Sequence, residues 1–109
     1  MLDAGTGIRS LGSLLDGRPF AGALLLGHLH WDHTQGLPFL TATDHDGAVV
    51  ELFLPNQEDG DAGVDVLRRA MSPPHFPIQP EGLRGRWSFD LLGEGAHGVA
   101  GWKVLALEI

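Results

Sequence analysis

The chain has 109 residues, room for one small domain with a single modest core. Seven Lys and Arg against fourteen Asp and Glu leave a formal net charge of −7, which repels phosphate backbones at long range and disfavours nucleic acid as a partner. Cysteine is absent, so neither disulfides nor thiolate metal sites can be built, and any metal falls to His, Asp and Glu.

No apolar run approaches the roughly 20 residues that cross a bilayer. The opening Met1-Leu2-Asp3-Ala4-Gly5 also lacks the basic and apolar regions of a signal peptide, so the expectation is a cytoplasmic protein without a membrane partner. Sixteen glycines and seven prolines imply short elements joined by many turns, which excludes a helical bundle.

In chain order, Asp3-Ala4-Gly5-Thr6-Gly7 reads as a glycine-rich turn, and Ile8, Leu11, Leu14 and Leu15 then recur at helical spacing. Ala23-Leu24-Leu25-Leu26 has the pattern of a strand buried on both faces, and it runs straight into a histidine cluster. Leu37-Pro38-Phe39-Leu40 is an apolar loop or short helical turn, and Val49 to Leu54 is a second strand closed by Pro55. Asp61 is placed to cap a helix reaching Ala70 or Met71, which Ser72-Pro73-Pro74 ends. Further strands are predicted at Trp87 to Leu92 and at Val99 to Ile109. Strands interleaved with helices define an α+β or α/β layered class.

Three of the six histidines fall in His28-Leu29-His30-Trp31-Asp32-His33. In an extended segment side chains alternate, so His28 and His30 project to one side and can close on one cation. Asp32 and His33 follow where the chain turns, and can meet a second cation about 3.5–4 Å from the first. Nitrogen and oxygen donors suit zinc first, then manganese or iron(II). Trp31, between the ligands, is expected to point away from them and pack beneath the loop.

His28-x-His30-x-Asp32-His33 with the upstream Asp3-x-Gly5-x-Gly7 resembles the metallo-β-lactamase superfamily. Leu2 to Leu11, Gly27 to Phe39 and Met71-Ser72-Pro73-Pro74-His75-Phe76-Pro77 resemble the ribonuclease Z and phosphodiesterase-like group of its metallo-hydrolases. The resemblance implies a four-layer αβ/βα sandwich with two metals, normally Zn2+, at the edge between two sheets. By it, His28 and His30 are ligands of the first metal and Asp32 and His33 of the second. It also puts Asp32 near the nucleophilic water as a proton carrier and makes Asp3 the buried carboxylate that supports the metal loop. A plain turn-forming role for Asp3 is the alternative. Gly27 stands where Thr or Ser is common in the family.

A complete member supplies a third His, a bridging Asp and a final His further along. Residues 1–109 are therefore expected to be the N-terminal portion of one such domain, cut at the C-terminus and at the N-terminus. His97 is a candidate for the third His, but it precedes the last predicted strand where the family's residue follows one. His45 and His75 read as surface residues, His75 with a place on the substrate cleft as its alternative. Asp44 and Asp46 read as a solvated hairpin tip, since the rest of a calcium-loop spacing is missing. Phe39, Phe76 and Trp87 read as core or cleft wall, and Arg68-Arg69 as a solvated helix face.

The implied activity is metal-assisted hydrolysis, in which two cations activate a bridging water. The absence of Gly-Gly after His33 points to the phosphodiesterase side of the superfamily, and the acidic charge to a small-molecule phosphodiester rather than tRNA. Thioester or lactone hydrolysis and a metal-binding chain without turnover remain open, and the oligomeric state is unassigned.

Overall fold

The computed structural model describes residues 1–56 and 62–108. Strands β1 (Ala21–Leu25), β2 (Val49–Leu54) and β3 (Arg86–Leu91) form a parallel sheet in the order β1-β2-β3, with Leu24, Leu52 and Phe89 in register across it. Parallel neighbours need a crossover, and the intervening helices provide it. The chain is a mixed α and β fold.

The β1 run is apolar without alternation because both of its faces are covered. On one face Leu24, Leu26, Val50, Leu52 and Leu54 pack with Ile8, Leu37, Leu40 and Leu67 from the helical segments. On the other, Ala23 and Leu25 pack against Val99 and Val104. The helical side contains a 3-10 turn at Thr6–Ile8, helix α1 (Arg9–Leu15), the one-turn helix α2 (Trp31–Thr34), a second 3-10 turn at Leu37–Phe39, and helix α3 (Gly63–Ala70). Leu14, expected on the inner face of α1, is 76% exposed, while Ile8 is buried and Leu11 and Leu15 are half-buried. The described part of α3 starts after Ala62, and the predicted cap at Asp61 lies outside the described residues.

The predicted final strand, Val99 to Ile109, is instead the second half of a hairpin. Strand β4 (Gly95–Val99) pairs antiparallel with β5 (Trp102–Ala106), and Val99 opposes Trp102 across the two-residue turn Ala100-Gly101. Both turn residues have positive φ, 48° and 80°, as the mirror-image turns of tight hairpins require. Ala-Gly lacks the Asn or Asp that normally marks such a turn.

Asp44 and Asp46 do not sit at a hairpin tip, because the strands on either side of them are parallel. Asp44 Oδ1 accepts the Arg84 backbone N–H at 2.8 Å and lies 3.5 Å from the Arg84 Nε, fastening the approach to β3. Arg68 is likewise not merely solvated, since it bonds both Asp65 and Glu81 and ties α3 to the Pro80–Gly82 turn. Trp87 is half-buried against the helical-side core, stacked on Phe89 at 6.0 Å. Among the described residues no helix is long and apolar enough to cross a membrane.

Candidate metal centre

The histidine segment leaves the sheet at the carboxyl end of β1. Leu26 is fully buried and its N–H still bonds Phe53 O at 3.0 Å, so the chain is fixed up to the residue before Gly27. Leu29 packs on the helical-side core, and the alternation of an extended chain then turns His28 and His30 outward together. Their rings lie 3.9 Å apart, edge to face at 83°. His30 is still extended, at φ −62° and ψ 152°, and α2 begins at the next residue. That helical turn swings His33 back, with its ring 5.5 Å from that of His28.

Asp3 locks this turn from below. Its own N–H bonds Leu25 O at 2.8 Å, Oδ1 accepts the Gly27 N–H at 2.9 Å, and Oδ2 pairs with His33 Nδ1 at 3.0 Å. One carboxylate thus joins the first and last residues of the histidine loop. Asp3 adopts φ 56°, in the left-handed region that Asp tolerates better than most residues. Its carboxylate joins two segments of the chain, but with 41% of the side chain exposed it is not the buried carboxylate expected. Gly27 meets Asp3 through its N–H alone.

A carboxylate accepts, so the pairing puts the proton of His33 on Nδ1 and turns Nε2 outward, 3.4 Å from Asp32 Oδ2. The hydrogen bond to Asp3 raises the His33 pKa above 6.5, against a smaller opposing effect of desolvation and with added attraction from Asp32 and Asp3.

Gly5, read above only as a turn former, and Gly36 are contact points. A Cβ on Gly5 would stand 2.4 Å from Asp32 O, and one on Gly36 would stand 2.2 Å from Gly5 O and 2.6 Å from Ile8 Cγ2. Between them run Ala4 N–H to His33 O and Gly36 N–H to Ala4 O, both at 2.8 Å. The Asp3–Gly7 turn and the histidine loop therefore interlock backbone against backbone. A glycine on each of two loops that must touch was the available signal.

Other expectations change. Trp31 does not pack beneath the loop: it opens α2, where alternation ends, and is 67% exposed. Phe39 is 65% exposed rather than core, with its ring edge-on to Phe76 at 6.0 Å. His97 lies within β4, not in a loop, and its Nε2 bonds Gly93 O at 2.6 Å, holding its own hairpin. His45 is exposed and accepts the Gly47 N–H at 3.0 Å, and His75 is exposed in the Pro-rich turn.

Among the described residues, no three His, Asp or Glu side chains stand in an arrangement that could close on a metal as they are. The rings of His28, His30 and His33 are nonetheless neighbours, and His28, His30 and Asp32 are exposed and able to rotate. In donor chemistry, nitrogen and oxygen from His and Asp, the set fits zinc. Compared with models of known protein families, with characterised proteins and with solved structures, the chain matches none.

Proposed function

We propose that His28, His30, Asp32 and His33 form one side of a dinuclear zinc site in a metal-dependent hydrolase of metallo-β-lactamase type. Manganese or iron(II) is the alternative metal, a small-molecule phosphodiester the substrate and the cytoplasm the location. The four-layer sandwich of that superfamily is the larger frame we assign to the sheet and its covering layers.

One observation carries the reading. Three imidazoles are gathered at the exit of a strand buried on both faces, with ring separations of 3.9 Å and 5.5 Å, and the third is oriented by Asp3. Crowded imidazoles repel one another once protonated, so such a cluster is favourable around a cation. Bound zinc would supply a water acidified toward neutrality and a counter-charge for the developing oxyanion. His28 and His30 bind, Asp32 accepts the proton of the attacking water, and Asp3 holds the His33 ring with Nε2 toward the site. With a net charge of −7, a single small phosphodiester suits the chain better than a long polyanion.

A second reading is metal binding without turnover, resting on the His28 and His30 rings 3.9 Å apart with no third donor arranged beside them among the described residues. Zinc titration by calorimetry, with bis(4-nitrophenyl) phosphate as substrate, tests both. Saturable zinc binding that weakens about tenfold or more in His28→Ala and His30→Ala is expected. Binding unaffected by either substitution would sink the site. Zinc binding without any turnover selects the second reading, and cleavage of a thioester or lactone alone would reassign the substrate.

A further inference from the structure

The segment that carries the candidate donors hangs from two supports. His28 and His30 follow β1, where Leu26 N–H bonds Phe53 O, Gly27 N–H bonds Asp3 Oδ1 and Leu29 packs on the core. Asp32 and His33 belong to α2, which rests on the Asp3–Gly7 turn through Ala4 N–H to His33 O and Gly36 N–H to Ala4 O. The separation of the second pair from the first is therefore decided where α2 meets that turn.

Gly5 lies at that meeting. Its backbone is extended, at φ −69° and ψ −172°, a conformation open to any residue, so the turn itself does not call for glycine. The space does: a Cβ would stand 2.4 Å from Asp32 O. Outside the adjoining residues, its only other neighbour within 4 Å among the described residues would be Asp32 C, at 3.6 Å. A continuous α-helix would give Gly36 N–H to Asp32 O, but that N–H goes to Ala4 O, and the carbonyl is left facing the turn. A side chain at position 5 would push Asp32 O back by about 1 Å, from 2.4 Å to the 3.4 Å at which ordinary contact begins. Ala4 is fully buried and bonded on both sides, whereas Asp32 is exposed, so α2 is the part that yields. Metal and catalytic constellations are held to within about 0.5 Å, so a shift of that size matters to the donors.

We propose that Gly5 is a positioning residue of the candidate metal centre: by admitting the Asp32 carbonyl with no side chain between them, it sets how far the Asp32–His33 pair stands from the His28–His30 pair. The proposal deepens the metal-site reading above and rests on it.

The full chain carrying Gly5→Ala is compared with the native chain, with Gly7→Ala as control because its Cβ would meet nothing within 4 Å. In the metal-free protein, proton NMR reads the cross-peaks between imidazole rings, which lie 3.9 Å apart for His28 and His30 and 5.5 Å apart for His28 and His33. Gly5→Ala should leave the His28–His30 cross-peak in place and change the intensity of the His28–His33 one, a selective effect that a loss of stability alone does not produce. Zinc affinity, by calorimetry, should fall by about tenfold or more in Gly5→Ala and stay unchanged in Gly7→Ala. An unchanged His28–His33 cross-peak would overturn the positioning role and leave the metal site standing, as would native zinc affinity in Gly5→Ala. A Gly5→Ala chain that no longer folds would overturn it too, because the displacement would then fall on the core and not on α2. If the native chain binds no zinc, the metal-site reading falls and takes this role of Gly5 with it.

Discussion

Replacing Gly36 by Ala isolates the interlock on which the histidine loop depends. The backbone at Gly36 is helical (φ −81°, ψ −18°), so alanine suits the conformation and would gain up to about 1 kcal/mol at an unobstructed site. The space is what forbids it: the new Cβ would stand 2.2 Å from Gly5 O, 2.6 Å from Ile8 Cγ2 and 2.9 Å from Ala4 O. Two of those neighbours are backbone, and Ala4 is itself bonded on both sides, to His33 O and from Gly36 N–H, so they cannot yield cheaply. Overpacking of this kind costs about 1–3 kcal/mol, and the upper end applies, leaving a net loss of about 2 kcal/mol. Gly7→Ala is the control, since its Cβ would meet nothing within 4 Å, and no loss is expected there. Urea unfolding of the three proteins measures the difference. If Gly36→Ala is as stable as the native chain or as Gly7→Ala, the two loops do not touch as described.

In Asp3→Asn, the His33 pKa should fall back toward 6.5, read by NMR titration of the ring protons. Because the folded-state value is raised, the stabilisation by this pair is complete below the ordinary value and lost as pH climbs through the raised one. The variant's deficit should therefore be largest in mild acid and shrink in alkali, and a deficit that grew with pH would contradict it. Glu81→Gln tests the opposite sign. Arg68 lowers the Glu81 pKa below 4.5, so the pair contributes above that value and is lost as pH falls through the lowered one. Both partners are about 40% exposed, which keeps the effect at neutral pH small, and native and variant unfolding curves should coincide in strong acid. Ala100→Gly should stabilise the hairpin by up to about 1 kcal/mol, since Ala100 sits at φ 48°, where an L side chain is strained. A lower unfolding midpoint would refute that turn.

The parts of this molecule legible in its sequence are those governed by local period or composition. Val49–Leu54 is a strand with the limits its alternation predicts, and the unbroken Ala23-Leu24-Leu25-Leu26 run is buried on both sides of the sheet. The outward pairing of His28 and His30 also follows from local alternation, because Leu29 between them has a core to enter. What sequence reading missed depends on contacts between distant segments or on a change of period inside one segment. Trp31 was assigned to the underside of an extended chain, but the period changes from two to 3.6 at that residue, and the indole emerges in solvent. The break at Ala100-Gly101 is poorly marked in sequence because its first residue is alanine, strained at φ 48°, where Asn, Asp or Gly normally stands.

The Asp3–Gly7 turn shows the same division within five residues. Its glycines announce a turn, yet Gly5 is also required by a partner 27 positions further on, where Asp32 O would lie 2.4 Å from any Cβ. Asp3 is legible as a turn residue and as a carboxylate, but its grip on both Gly27 and His33 exists only once β1 has carried the histidine loop alongside it. The same carboxylate sets the His33 tautomer, so the chemistry assigned to the loop depends on a residue outside it. A substitution at Asp3 should consequently act on His33 before it acts on stability. In Asp3→Asn the amide can still accept the Gly27 N–H, while the charge that holds the His33 proton on Nδ1 is gone. Measured in mild alkali, where the Asp3–His33 pair no longer contributes to stability, zinc affinity in that variant should fall by about tenfold or more with the unfolding midpoint little changed. Equal losses in both would mean that Asp3 supports the fold of the loop and has no separate hold on its third histidine.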